Sequence, residues 1–302
     1  MPPRMDHTPF DVEPSPVPKH SVFTEEIQYR AKLQKFSYAP SELTVQKISF
    51  ERDVDRYRLA AENGNVSCFP VRRAKNPEKI ADPESVERSQ RRAKTRVRLL
   101  VTELAPKALW TFTTRKIYEF DQVVRIWEGF TRRLRLIDPD ARYVAVPELH
   151  KDGRHWHVHS AMRTVVNRST MRRIWHNALE AFEGRRVMAI LRGPDSPGNV
   201  DEQAIKGRDV LKRIRKVAKY ISKYITKDLI EKFNRRRYWP SKGIDLADAQ
   251  VFWLGAVTQV EAIREACRAF GVWDGLAPAF KAFLPSDRVF WMPFDVQHEP
   301  PF

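Results

Sequence analysis

The chain has 302 residues, 42% of them hydrophobic, with a formal net charge of +16 and a sequence pI of about 10.0. This length supplies one large domain or two small ones, and the charge points to a polyanionic partner, with nucleic acid ahead of an anionic membrane surface. No apolar run is long enough to span a bilayer or to form a signal-peptide core, and two widely separated cysteines, Cys68 and Cys267, argue against a disulfide framework or a CxxC zinc knuckle. A cytoplasmic protein is expected.

Residues 1 to about 40 are rich in proline and poor in periodicity, which predicts a flexible leader. Mixed sequence follows to residue 83. Ser49 to Leu59 suggests a short helix, and Asn63-Gly64-Asn65 breaks it. A first region is therefore drawn at residues 1–83. Asp82-Pro83-Glu84-Ser85 then opens a helix to about Leu104, with its acidic residues in the first turns where the helix dipole favours them. Its middle carries Arg88, Arg91, Arg92, Lys94, Arg96 and Arg98. A charge run is usually a solvated face; a run of one sign points instead to phosphate-backbone contact.

From Leu109 the pattern becomes regular. Leu109 to Thr114 reads as a strand, and Asp121 to Leu136 as an amphipathic helix with Val124, Trp127, Phe130 and Leu134 at helical spacing. Tyr143 to Glu148 is the next strand, Lys151-Asp152-Gly153 a turn, and the segment from His155 to Met162 its hairpin partner. Asn167-Arg168-Ser169 caps a helix to about Phe182. Arg186 to Leu191 reads as a fourth strand, and a helix from about Arg208 to Phe233 closes the series. The order β-α-β-β-α-β-α predicts an α+β fold: a ferredoxin-like antiparallel sheet with helices on one face. The core is assigned to residues 84–237, and the less basic, aromatic-rich residues 238–302 to a small C-terminal subdomain.

Two stretches carry chemistry. In Gly153-Arg154-His155-Trp156-His157-Val158-His159, three of the eight histidines stand at alternate positions. On a strand they project to one face, a natural half of a metal site. The hairpin places Glu148 and His150 on the neighbouring strand, where Glu148 can add an oxygen ligand. In Tyr220-Ile221-Ser222-Lys223-Tyr224-Ile225-Thr226-Lys227, the pattern Tyr-x-x-Lys occurs twice. On a helix the tyrosines stack one turn apart, with Lys223 and Lys227 near the same face. An ammonium beside a phenol favours phenolate, a candidate nucleophile. This helix is expected to lie across the open face of the sheet.

His157-Val158-His159 resembles the histidine-hydrophobic-histidine motif of the HUH endonuclease superfamily. Tyr220-Ile221-Ser222-Lys223-Tyr224 is similar to the two-tyrosine motif of rolling-circle replication initiators of single-stranded DNA bacteriophages, and Leu109 to Thr114 to the first strand motif of that group. The resemblance spans roughly residues 88–237. His155-Trp156-His157 also fits the histidine pattern, and the later pair is preferred because a more apolar strand end follows it. The resemblance implies a divalent metal, Mg²⁺ or Mn²⁺, held by His157, His159 and Glu148. It implies a tyrosine, Tyr220 or Tyr224, that attacks single-stranded origin DNA to leave a 5′-phosphotyrosine, with Lys223 and Lys227 steadying the phosphate. It also implies work in a bacterial host cytoplasm beside a host helicase and polymerase; the adjacent tyrosines, without a GxxxxGK[ST] loop, favour an initiator over a relaxase or transposase. The alternatives are a relaxase or transposase of the same superfamily, a non-catalytic basic DNA-binding protein, and a metal-dependent hydrolase without a covalent intermediate.

Overall fold

A computed structural model describes residues 29–47, 83–185, 196–205, 210–226, 236–254, 258–270, 283–286 and 289–294. In chain order these form β1 (Tyr29–Gln34), β2 (Ser41–Lys47), α1 (Pro83–Leu104), β3 (Ala108–Thr113), α2 (Phe120–Ile137), β4 (Arg142–Leu149), β5 (Trp156–Arg163), α3 (Arg168–Phe182) and β6 (Val200–Ala204). There follow α4 (Val210–Lys223), a 3₁₀ turn (Tyr224–Thr226), β7 (Trp239–Pro240), β8 (Gln250–Leu254), α5 (Gln259–Ala269), β9 (Phe283–Ser286) and β10 (Val289–Phe294). The strands make two antiparallel sheets in two separate units. The fold is α+β.

The larger unit holds residues 36–39 and 75–246. Its sheet has the order β6-β3-β5-β4-β7. The four strands of the βαββαβ series thus lie in the spatial order fourth, first, third, second, the split arrangement predicted from the chain order. Alternation along the strands sorts side chains to two faces. Trp110, Phe112, Tyr143, Trp156, Val158 and Met162 pack with Val123, Trp127 and Phe130 of α2 and Met171, Trp175 and Leu179 of α3. Phe112 is central to this layer, its ring 4.9 Å from Phe130, 5.3 Å from Trp175 and 5.4 Å from Trp127. Trp175 Nε1 donates to the Thr113 carbonyl at 2.9 Å, so this indole is oriented as well as packed. The cap read at Asn167 is present: its Oδ1 accepts from Thr170 N at the start of α3. At α2, Glu119 and Gln122 form a capping box.

Helices cover both faces of the sheet: α4 lies across the open face as expected, and α1 joins it there. Leu109, Val144, Val146 and Ala161, on the opposite side from Trp110 and Phe112, pack with Val97, Leu100, Val101 and Leu104 of α1 and Val217, Ala218 and Ile221 of α4. α1 therefore has a buried stripe as well as a charged side. Arg186 to Leu191, expected as the fourth strand, lies outside the described residues; Val200–Ala204 is the strand on the β3 edge. Apolar content favoured the earlier segment, whereas β6 carries Asp201, Glu202 and Gln203 as an edge strand does. Trp239–Pro240 adds a fifth strand beside β4, so the core unit runs past residue 237.

The smaller unit corrects the reading of both termini. β1 and β2, expected within a flexible leader at least as far as residue 40, pair with each other and with β8 and β10 in the order β8-β1-β2-β10-β9. Ala31, Leu43, Val45, Phe290 and Met292 pack with Ala262, Ala266 and Cys267 of α5. The pattern Tyr29, Ala31, Leu33 was there to read, but each strand is short, and the β1–β2 pair is completed into a sheet only by β8 and β10, more than 200 residues away. Residues 1–28 and the expected helix at 49–59 lie outside the described residues.

Candidate metal centre and tyrosine pair

The cross-strand register builds the centre. Glu148 on β4 stands opposite His157 on β5, and Thr113 on β3 stands opposite His157 on the other side. One row further along the strand, His159 lies between Val146 and Thr111. Glu148, His157 and His159 therefore share one sheet face, and each offers a ligand atom within 4.8 Å of the others. His159 is buried, and Glu148 and His157 are half-buried. The structure thus brings together the three predicted ligands.

Their donors suit a divalent cation. Two imidazoles and a carboxylate form a mixed nitrogen and oxygen set. His159 Nε2 lies 2.7 Å from Glu148 Oε2, and its Nδ1 lies 3.2 Å from the Thr111 hydroxyl. With the proton on Nε2, the ring donates to Glu148 and accepts from Thr111. With Nε2 given over to a metal, the proton sits on Nδ1 and the same hydroxyl accepts it. A hydroxyl can play either part because it is both donor and acceptor. Burial holds His157 below the ordinary histidine pKa, with His150 and His159 adding to the effect, so its nitrogen lone pair is available at neutral pH. Thr111 lies on a predicted strand, but sequence reasoning did not single it out; a hydroxyl at the alternate position to Leu109 was the available signal.

His155 does not join the centre. It precedes β5, and its Nδ1 lies 2.6 Å from Asp152 Oδ2 while Nε2 lies 3.2 Å from the Arg115 carbonyl. The turn itself explains this. Gly153 adopts φ +69°, and Asp152 Oδ1 accepts from Arg154 N and His155 N. These two backbone donors, then the imidazoles, hold the Asp152 carboxyl well below the usual range. Asp152 Oδ2 also lies 3.2 Å from His150 Nδ1, and the His150 ring is 4.7 Å from that of His157. His150 thus borders the centre from the hairpin.

The tyrosines meet the same face. Tyr220, on α4, is 39% exposed, whereas Tyr224 is 8% exposed. The Tyr224 ring stacks on His159 with centroids 4.0 Å apart and planes 12° apart. Tyr220 stands 6.4 Å from His159 and 5.1 Å from Tyr224, edge-on to both. α4 ends at Lys223, and Tyr224 begins the 3₁₀ turn, so the two rings are turned against each other instead of stacked along one helix. The expectation that a lysine would draw a phenol toward phenolate fails at Tyr224. Burial, then the hydrogen bond and charge of Tyr220, then Glu148 push its pKa well above the usual tyrosine value. Lys223 is exposed; Lys227 lies outside the described residues.

These features define a class: an α+β protein whose central antiparallel sheet carries a candidate metal centre on one face, closed over by a tyrosine-bearing helix. Residues 107–229, less than half of the chain, match the family model of the replication-associated protein ORF2/G2P. That span contains β3, the hairpin with its histidines, and both tyrosines. No curated protein and no solved structure matches the chain. Among the described residues, no helix is long and apolar enough to cross a membrane.

Proposed function

We propose that the protein nicks and rejoins single-stranded DNA at a replication origin and so starts rolling-circle replication, as an HUH endonuclease of the two-tyrosine type. The observation that carries this reading is the contact of Tyr220 and Tyr224 with His159, a member of the Glu148-His157-His159 cluster. A divalent cation, Mg²⁺ or Mn²⁺, held by those three residues would polarise a phosphate oxygen. The match to a replication-associated family supports the biological setting.

A tyrosine hydroxyl gives up its proton, and its oxygen attacks the scissile phosphorus. The bond from phosphorus to the 3′-oxygen breaks, and that oxygen leaves with a proton as a free 3′-hydroxyl. The product is a 5′-phosphotyrosine, which conserves the ester for reversal by an incoming 3′-hydroxyl. Lys223 on α4, and Lys227 beyond it, supply positive charge toward the phosphate. Two tyrosines allow one to hold a DNA end while the other cuts again. Unwinding and synthesis would fall to a host helicase and polymerase.

The test is incubation of the protein with a single-stranded origin oligonucleotide and Mn²⁺, followed by a denaturing gel and mass spectrometry of the trapped peptide. The wild type yields a protein–DNA adduct, and the double variant Tyr220→Phe/Tyr224→Phe yields none. An adduct that persists in the double variant removes the tyrosines from the mechanism. Cleavage without any adduct points to direct hydrolysis.

A further inference from the structure

Helices α1 and α4 pack side by side over the sheet face that holds the histidines. Their outward sides are basic. α4 has 14 residues, of which Lys212, Arg213, Arg215, Lys216, Lys219 and Lys223 are basic and none is acidic. On α1, Arg92, Lys94 and Arg96 are exposed. The described carboxylates of α1 do little to offset them: Glu87 is engaged by Arg91 at 2.5 Å, and Glu103 is buried and accepts from Ser37 N. Exposed Tyr220 lies within the α4 series, flanked in sequence by Lys219 and Lys223.

A lone charge run is ordinarily a solvated helix face. Here two runs of one sign lie on adjoining helices, and one of those helices presents the exposed phenol. We propose that the outward sides of α1 and α4 form a track for the phosphates of a single DNA strand, leading it to Tyr220. The track rests on the nicking reading for its destination, but its binding does not need the chemistry. Charge complementarity identifies the occupant: a polyanion whose successive phosphates displace counterions from many cations at once.

The opposite layer of the same sheet provides an internal control. Arg125, Arg132 and Arg135 on α2 are also exposed, but α2 packs on the aromatic face, away from the histidines. The experiment measures binding of a fluorescein-labelled mixed-sequence single-stranded oligonucleotide by anisotropy across a salt series, in EDTA so that no nicking intervenes. Three variants are compared with the wild type: Arg92→Gln/Lys94→Gln/Arg96→Gln on α1, Lys216→Gln/Lys219→Gln on α4, and Arg125→Gln/Arg132→Gln/Arg135→Gln on α2. Each lost phosphate contact flattens the slope of log affinity against log salt by about 0.7. The α1 and α4 variants should therefore lose about 2 and about 1.4 from the slope and bind at least tenfold more weakly at low salt, while the α2 variant matches the wild type. Wild-type slopes in the α1 and α4 variants, or an equal loss in the α2 variant, would overturn the track. Equal competition by unlabelled duplex of the same sequence would overturn its assignment to a single strand. Adduct formation on the denaturing gel reports on nicking separately, so the two readings can fail independently.

Discussion

Thr111 shows how much one hydroxyl contributes at this face. It is the partner of His159 Nδ1, and it sits opposite that histidine in the register of β3 and β5. Thr111→Val keeps the shape and removes the acceptor, so Mn²⁺ affinity measured by titration calorimetry should fall about 10–100-fold, and Thr111→Ser should restore most of it. Equal affinity in Thr111→Val would show that His159 is oriented by packing alone. The two tyrosines differ in a way that assigns an order. Tyr220 is the more exposed, while Tyr224 is stacked beneath His159 and held in its protonated form by burial. The first adduct should therefore map to Tyr220, and Tyr224→Phe should retain that adduct while losing the second strand transfer. A trapped peptide carrying DNA on Tyr224 would reverse the order.

The junction between α3 and β6 is a test at the level of elements. His176 on α3 is buried, and its Nε2 donates to the Gly198 carbonyl at 2.9 Å, just before β6 pairs with β3. Burial lowers the pKa of this imidazole in the fold. The unfolded chain takes up its proton near the ordinary value, about 6.5. Below that pH the unfolded state binds more protons than the native state, so stability declines as pH falls toward the lowered native pKa. His176→Gln, which keeps a donor without a titrating group, should give a flatter dependence of Tm on pH between pH 7.5 and 5 than the wild type. An unchanged slope would exclude His176 as the source. At Gly198 a Cβ would lie 2.1 Å from the Thr113 carbonyl oxygen. Gly198→Ala should therefore cost about 1–3 kcal/mol in urea denaturation, because strand backbone and not a flexible side chain must give way. The elements differ in how clearly the sequence announced them. β3, α2, the β4–β5 hairpin and α3 were legible because a β-prone run bounded by turn residues or a period of 3.6 marks each. β6 was not, since a short polar edge strand has little apolar pattern. The cover of the second face was only half legible: α4 was expected there, but the charges of α1 hid its stripe of Val97, Leu100, Val101 and Leu104. At the site, alternation placed His157 and His159 together with Glu148, but it could not place the exclusion of His155, which depends on a turn bonded through Asp152.

For the molecule as a whole, charge and chemistry should separate. The net charge of +16 is carried by many lysines and arginines along the chain, whereas the candidate centre occupies a few residues of one sheet. His157→Ala with His159→Ala should therefore abolish metal-dependent adduct formation yet retain most of the affinity for single-stranded DNA, with the same steep loss in salt. Parallel loss of both would mean that the imidazoles also build the binding surface. The family match falls within the larger unit, and the smaller unit, assembled from residues near both ends of the chain, lies beyond it. Side chains alternate between two faces along β3, β4 and β5. Each strand spends alternate residues on the aromatic layer and on the chemical one, so the two inventories can drift apart over generations. A descendant could exchange its histidines for inert residues and keep its outline, which makes shape a poor witness to activity in proteins built this way.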